Sequence, residues 1–294
     1  MGKFGGRELN FSADLDVMYV YGAEGQTAQG VPNAEFFSKL GLELANRLKG
    51  NTSGGAIYEV DLRLRPFGDG GPIALSLEGY EKYYTSQAET WERQALIRAR
   101  PVAGDEALGA KFIQLGHAFA YSRPLTAEEV SEIVYTRQRK EAQATRVTAS
   151  SRRRRRSAGK KLDVKSGYGG LVDIEFAVQT LQLLHGTASP QVRVANTSEA
   201  IKQLRAIDAL TDEQQKTLIE AYTFLRSVEN SLRIVHDRLL HALPDRTAEL
   251  EQLARRLGYV KNERSVSEQF LQDYHTSTEK TRALFNELVN PERF

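Results

Sequence analysis

The fold depends on residues 12–21, which read SADLDVMYVY, and on residues 58–65, which read YEVDLRLR. Both stretches alternate polar and apolar residues and contain the valine, tyrosine and leucine typical of β-strands. Side chains alternate between the two faces of a strand, so Asp14 and Asp16 are predicted to share one face. If the strands are neighbours, Asp61 of the second stretch joins them. Clustered carboxylates repel one another unless a cation lies among them, so the pattern predicts a Mg²⁺ site for phosphoryl or nucleotidyl transfer.

Basic residues and glycines around these strands indicate a phosphate site. Arg63 and Arg65 follow Asp61 at strand spacing, and two guanidinium groups can hold a triphosphate through paired hydrogen bonds. Gly5 and Gly6 precede the first stretch, and glycines let backbone amides approach phosphate oxygens closely. Two alternatives stay open at this point: the arginines only neutralise the carboxylates, and the glycines only form a turn.

Six strings of residues lie along nearly the whole chain in a fixed order. They are GKFGGRELNFSADLD at 2–16, DLRLRP at 61–66, WERQALIRAR at 91–100, DVK at 163–165, GGLVDIEF at 169–176 and LRSVEN at 225–230. Together they resemble the signature of glutamine synthetase adenylyltransferases, which belong to the nucleotidyltransferase superfamily typified by polymerase beta.

The resemblance implies an α+β fold, in which a small mixed nucleotidyltransferase sheet with flanking helices is followed by a helical bundle. It implies that Asp14, Asp16 and Asp61 are catalytic and hold Mg²⁺. It further implies that ATP is the substrate. The implied nucleotide-binding residues are Gly5, Gly6, Ser12, Arg63, Arg65 and Lys165.

The implied reaction is transfer of AMP from ATP to a tyrosine of glutamine synthetase, which regulates nitrogen assimilation in the cytoplasm. The family also removes AMP with phosphate, and it carries the two activities on two similar halves. Residues 61–68 (DLRLRPFG) are more like the removing half, whereas residues 170–176 (GLVDIEF) are more like the adding half, which we favour. Glutamine synthetase and a PII regulatory protein are the implied partners. Uridylyl transfer to a PII-type regulator and a non-catalytic fragment that binds either partner stay open as alternatives.

One departure from the family pattern concerns the start of the sheet. In this superfamily a central strand precedes the Gly-Gly turn, whereas Met1 stands at that turn here. The sequence therefore predicts a catalytic domain whose first strand is missing, with weak or no activity.

Composition excludes several other classes of protein. The 294 residues contain no cysteine, so no disulfide framework and no thiolate zinc site is expected. No stretch is long and apolar enough to predict a membrane span, and a net charge of +2 does not favour nucleic acid as a partner. The charge is uneven, because residues 145–161 include Arg152–Arg156. We interpret this segment as a basic flexible linker, with a patch for nucleic acid or for an acidic partner as the alternative.

Breakers and caps divide the chain into a catalytic domain over residues 1–105 and a helical domain over residues 106–294. A helix is predicted over residues 33–50. Its predicted core stripe is Phe37, Leu40, Leu44 and Leu48.

Three charged residues on the longest predicted helix, Arg226, Glu229 and Arg233, are spaced three and four apart and are predicted to form ion pairs. Asp173 and Glu175 lie in the first turn of an apolar helix. They are interpreted either as site residues or as carboxylates that complement the helix dipole.

Overall fold

The computed structural model describes residues 1–11, 13–52, 55–56, 58–152, 162–236 and 241–293. Helices take up most of these residues and the strands are short, which confirms a mainly helical α+β fold. The chain divides into two compact units. The first comprises Met1–Pro124 and Gly186–Asn196, and the second comprises Leu125–His185 and Thr197–Phe294.

The first unit contains the strands of the described part of the chain. They are β1 (Leu15–Asp16), β2 (Tyr19–Tyr21), β3 (Asn51–Thr52), β4 (Gly55–Ala56), β5 (Val60–Asp61) and β6 (Ala74–Ser76). Strand β1 pairs with β5 and β2 pairs with β6, both in parallel, while β3 and β4 form an antiparallel pair. The stretch predicted as one strand over residues 12–21 is therefore two short strands, and each has its own partner.

The helices of the first unit flank these strands. They are α1 (Gly2–Gly5), α2 (Asn33–Lys49), α3 (Leu77–Ser86), α4 (Thr90–Leu96) and α5 (Glu106–Ala120). Ser76 begins α3 by accepting a hydrogen bond from the Gly79 N–H, and Asp105 begins α5 by accepting one from the Leu108 N–H. Helix α5 packs against α3 and α4 and so belongs to the first unit. The domain boundary predicted from the sequence lies before this helix, at residue 105.

Helix α2 turns a different face to the core from the predicted one. Leu40 and Leu44 are 52% and 45% exposed, whereas Gly41 and Ala45 are buried. The predicted stripe is wrong at the two leucines because a helix packs closest where its side chains are smallest. A Cβ atom at Gly41 would lie only 2.8 Å from the Tyr19 ring, so glycine allows this approach.

The second unit is built from helices. They are α6 (Ala127–Arg152), α7 (Leu171–His185), α8 (Thr197–Ala206), α9 (Asp212–His236), α10 (Thr247–Arg256) and α11 (Val266–Leu288). Helix α7 is buried on most of its surface and packs against α6, α8, α9 and α11. This agrees with the apolar sequence of α7, which predicts burial on all sides.

Helix α6 continues into the segment predicted as a basic linker. The helix ends at Arg152, so residues 145–152 are helical. The rest of the predicted linker, residues 153–161, lies outside the described residues, as does Ser12. No helix of the described residues combines the length and the apolar character that crossing a lipid bilayer requires.

Candidate active site

Strands β1 and β5 pair two of the predicted aspartates across the sheet. Leu15 stands opposite Val60, and Asp16 stands opposite Asp61, in a parallel register. Residues paired across neighbouring parallel strands project to the same face, so Asp16 and Asp61 lie on one side and the buried Leu15 and Val60 lie on the other. The register is fixed because a shift by one residue would expose the two apolar side chains.

Asp14 lies just before β1 and lines an open cleft of about 400 Å³ together with Asp61 and Arg63. Its Oδ1 atom is buried and has no hydrogen-bond partner among the described residues. A buried carboxylate oxygen without a donor is unfavourable, and a hard cation is one group that satisfies it.

Asp61 is held by Arg63. The backbone N–H of Arg63 donates to Asp61 Oδ1 at 2.8 Å, and its Nε donates to both carboxylate oxygens at 3.0 Å. These bonds are the main reason why the pKa of Asp61 lies below its usual value, with a smaller contribution from the positive charge of Lys49. We call this contact the Asp61–Arg63 clasp. A metal ion at Asp61 has to compete with the Arg63 guanidinium.

The chain turns directly after Asp61, so Arg63 and Arg65 do not share a strand face with it as predicted. Strand β5 ends at Asp61, and residues 63–67 form turns and a bend. Arg65 is 6% exposed, and its guanidinium donates to the carbonyl oxygens of Leu62 at 2.7 Å and Gly71 at 3.3 Å. In this structure Arg65 stabilises the turn. A nucleotide contact from Arg65 stays a prediction.

The glycine turn at residues 5 and 6 is closed. The Gly5 N–H donates to the Met1 carbonyl at 2.7 Å, and the Gly6 N–H donates to the Gly2 carbonyl at 3.1 Å. A Cβ atom at Gly5 would lie 1.7 Å from the Arg98 carbonyl oxygen. Glycine at position 5 therefore allows close contact with the backbone of Arg98, and not with a ligand, in this structure. The predicted phosphate contacts of Gly5 and Gly6 require this turn to open.

The remaining predicted residues lie elsewhere. Lys165 belongs to the second unit, where its backbone N–H donates to Asp163 Oδ1 at 3.0 Å. Asp16 is not among the residues that line the cleft, and its side chain packs against Gly2. The described residues contain no group of three His, Cys, Asp or Glu side chains arranged to hold a metal ion. The donor chemistry still fits Mg²⁺, since Asp14 offers a buried oxygen without a donor and Asp61 lies in the same cleft.

The cleft also includes Lys49, Glu59 and Asp69, which no sequence motif indicates as site residues. Lys49 is the last residue of α2, and it adds a positive charge near Asp61. Basic residues in the last turn of a helix are usually read as partners of the helix dipole, so the spacing alone gives no signal for a site role.

Comparison with known families divides the chain at nearly the same place as its packing. Residues 1–115 match the family model described as glutamate-ammonia ligase adenylyltransferase. Residues 137–289 match the family model described as GlnD PII-uridylyltransferase.

Curated relatives match most of the chain. A bifunctional glutamine synthetase adenylyltransferase/adenylyl-removing enzyme from Xanthomonas campestris pv. campestris (strain B100) is 40% identical over 88% of this chain and 27% of its own length. The enzyme of the same description from Thioalkalivibrio sulfidiphilus is 36% identical over 92% of this chain and 28% of its own length. The one from Stenotrophomonas maltophilia (strain R551-3) is 37% identical over 95% of this chain and 29% of its own length. The chain thus spans under a third of the length of these relatives.

Proposed function

Because this chain belongs to the glutamine synthetase adenylyltransferase/adenylyl-removing enzyme family, we propose that it is a nucleotidyltransferase segment that transfers AMP from ATP to glutamine synthetase. The acceptor is a tyrosine hydroxyl. Its oxygen bonds to the α-phosphorus of ATP, the bond from that phosphorus to the β-phosphate oxygen breaks, and pyrophosphate leaves. The hydroxyl proton passes to solvent.

The carboxylates of the first unit are the proposed catalytic residues. Asp14, Asp16 and Asp61 would hold Mg²⁺, which when bound supplies charge neutralisation at the phosphates and a lower pKa for the attacking hydroxyl. Support comes from Asp14 and Asp61, which line the cleft, and from Asp16, which is the partner of Asp61 in the parallel strand register. The observation that carries the proposal is the unpartnered buried Oδ1 of Asp14 in the same cleft as Asp61.

The cations of the cleft are the proposed phosphate contacts. Arg63 is largely exposed, and its guanidinium lies between the Asp61 carboxylate and solvent. Lys49 lines the same cleft. An arginine binds a phosphate through two parallel hydrogen bonds, whereas a lysine acts as a point charge. Together they would neutralise the negative charge that a bound triphosphate adds to a site rich in carboxylates.

The test is Mg²⁺-dependent labelling of glutamine synthetase from ATP that carries a radioactive α-phosphate. Asp14→Asn and Asp61→Asn are expected to abolish labelling. Asp69→Asn is the matched control, because it removes one negative charge from the same cleft at an exposed position that has no proposed role. Labelling that is unaffected by both Asp14→Asn and Asp61→Asn would overturn the proposal.

The direction of the reaction is tested with the same protein. Incubation with adenylylated glutamine synthetase and inorganic phosphate would release ADP if the chain removes AMP. Binding of glutamine synthetase or of PII without any turnover would instead make the chain a non-catalytic binding segment. Either result replaces transfer from ATP as the assigned activity.

A second candidate function is UMP transfer to a PII-type regulator. It is favoured by the match of residues 137–289 to the PII-uridylyltransferase family model. A parallel assay with radioactive UTP and PII decides between the two. Labelling of PII from UTP, without labelling of glutamine synthetase from ATP, would select this candidate.

A further inference from the structure

The turn over residues 163–170 of the second unit has a fixed backbone. Asp163 Oδ1 accepts hydrogen bonds from the N–H groups of Lys165 at 3.0 Å and Ser166 at 2.7 Å. The Lys165 carbonyl accepts one from the Val172 N–H at 2.9 Å. Both backbone polar groups of Lys165 are therefore satisfied, and its position does not depend on its side chain.

Helix α11 closes one side of this turn. Gly169 has a φ of +64°, and a Cβ atom there would lie 1.8 Å from the Thr278 carbonyl oxygen. Only glycine permits both this conformation and this close approach. The turn is consequently packed directly on the backbone of α11.

A buried cluster of charged side chains forms hydrogen bonds to the backbone of this turn. Asp173 is fully buried and accepts hydrogen bonds from the Gly169 N–H at 3.0 Å, from Arg282 Nε at 2.7 Å and from Arg137 Nε. Arg137, which is 1% exposed, also donates to the Gly167 carbonyl at 2.6 Å. The cluster therefore ties α6, α7 and α11 to the same short turn.

The turn presents an aromatic ring and a cation to solvent. Tyr168 is 51% exposed, and the Arg282 guanidinium carbon lies 4.6 Å from the centre of its ring. Arg282 is itself held by Asp173 and by Glu141 at 2.6 Å, so it supports one side of the Tyr168 ring. The Lys165 ammonium, three residues earlier, has no partner in the part of the chain that the structure describes.

We infer that this turn is a nucleotide-binding site, in which Tyr168 stacks on the base and Lys165 binds a phosphate. The inference rests on the proposed use of a nucleotide by this chain, and it assigns Tyr168 as the base contact of a nucleotide site within the second unit. An aromatic ring stacks on any base, and a neighbouring cation binds the phosphate that the same ligand carries. The nearby carboxylates Asp163 and Glu141 offset the positive charges of Lys165 and Arg282, so the site suits a single nucleotide better than a polyanion.

The test measures ATP binding by titration calorimetry with the full 294-residue chain in EDTA, where the carboxylates of the first unit have no cation. Tyr168→Ala is expected to raise the Kd for ATP by about five- to a hundred-fold, as removal of a stacked aromatic does. Tyr168→Phe keeps the ring and is expected to leave Kd unchanged. Tyr135→Ala is the matched control, because Tyr135 is 61% exposed and also lies beside an arginine, Arg139 at 5.9 Å.

Binding of pyrophosphate, which has no base, distinguishes the phosphate contact of Lys165 from the base contact of Tyr168. Lys165→Ala is expected to weaken both ATP and pyrophosphate, whereas Tyr168→Ala is expected to weaken ATP alone. Tyr168→Leu keeps an apolar side chain over Arg282 but removes the aromatic face, so it tests whether ATP binding needs the ring itself. Urea unfolding of each variant measures its stability and shows whether a loss of ATP binding comes from misfolding.

The inference is overturned if the unaltered chain does not bind ATP in EDTA, if Tyr168→Ala binds ATP normally, or if Tyr168→Leu restores binding. Asp14→Asn is expected to bind ATP normally in EDTA and to fail only in the labelling assay with Mg²⁺. Failure of this inference is therefore distinguishable from failure of the proposed function.

Discussion

Replacement of Arg63 by glutamine is expected to tighten the binding of a free divalent cation to the chain. In the Asp61–Arg63 clasp both oxygens of Asp61 accept from the Arg63 side chain, so a cation has to displace it. The Arg63 side chain is 69% exposed, and an exposed pair of this kind contributes at most about 1 kcal/mol. Removal of that competition corresponds to a Kd that is lower by up to about five-fold.

The assay is titration with Mn²⁺ in the absence of nucleotide, with free Mn²⁺ measured by electron paramagnetic resonance. Arg47→Gln is the control, because Arg47 is an exposed arginine of the first unit that pairs with Glu43 at 2.8 Å instead of with a proposed metal ligand. The same Arg63→Gln protein is expected to bind ATP in Mg²⁺ about ten-fold more weakly, since it lacks a phosphate donor. Mn²⁺ binding that is unchanged in Arg63→Gln, or equally tightened in Arg47→Gln, would refute the reasoning.

Three further substitutions test the packing and electrostatics of each unit. Asp173→Asn is expected to lower the free energy of unfolding in urea by about 3–5 kcal/mol, because it leaves Arg137 and Arg282 without their buried carboxylate. Asp212→Asn is the control. The Asp212 carboxylate is 87% exposed, so loss of its ion pair should lower the free energy of unfolding by about 1 kcal/mol or less. Gly5→Ala is expected to lower the free energy of unfolding by about 1–3 kcal/mol in the same assay, because its Cβ atom would lie 1.7 Å from the Arg98 carbonyl oxygen. Gly22→Ala is the control and should leave the stability nearly unchanged, because a Cβ atom at Gly22 has no other atom within 4 Å. Burial raises the pKa of Glu92 above its usual 4.5, so the folded protein is favoured when this carboxyl is protonated, and that contribution is lost as the pH rises through the folded pKa. Glu92→Gln is therefore expected to be more stable than the unaltered chain at pH 7 and similar to it below pH 4.5, and a gain that is independent of pH would contradict this assignment.

The sequence predicts the central part of the candidate site because strand alternation is a strong local signal. Asp16 and Asp61 each follow a buried apolar residue, and burial of Leu15 and Val60 sets the register in which Asp16 and Asp61 stand opposite each other on the two strands. The same reasoning fails four residues later. Arg65 fits a strand pattern by spacing, but residues 63–67 form turns and a bend, and the Arg65 guanidinium is buried against the carbonyl oxygens of Leu62 and Gly71.

Helix α2 shows a second limit of local patterns. Its bounds follow from the sequence, and the structure confirms them within one residue. The buried face does not follow, because the periodicity of large apolar residues predicts Leu40 and Leu44 while the packing selects Gly41 and Ala45. A small residue gives no hydrophobic signal in the sequence. The reason for glycine at position 41 is the close packing of the Tyr19 ring, which only the tertiary structure shows.

The charged residues of the second unit separate what spacing determines from what only the tertiary structure determines. Spacing by three and four predicts the pairs of Glu229 with Arg226 and Arg233, and the structure confirms them at 3.1 Å and 3.0 Å. It does not predict that Glu229 is fully buried, because burial depends on helices distant in the sequence. Asp173 is the extreme case, since its partners lie 36 residues before it and 109 residues after it. A carboxylate in the first turn of a helix usually complements the helix dipole. Asp173 instead accepts from arginines of two other helices, α6 and α11, and this arrangement fixes the turn that carries Lys165 and Tyr168.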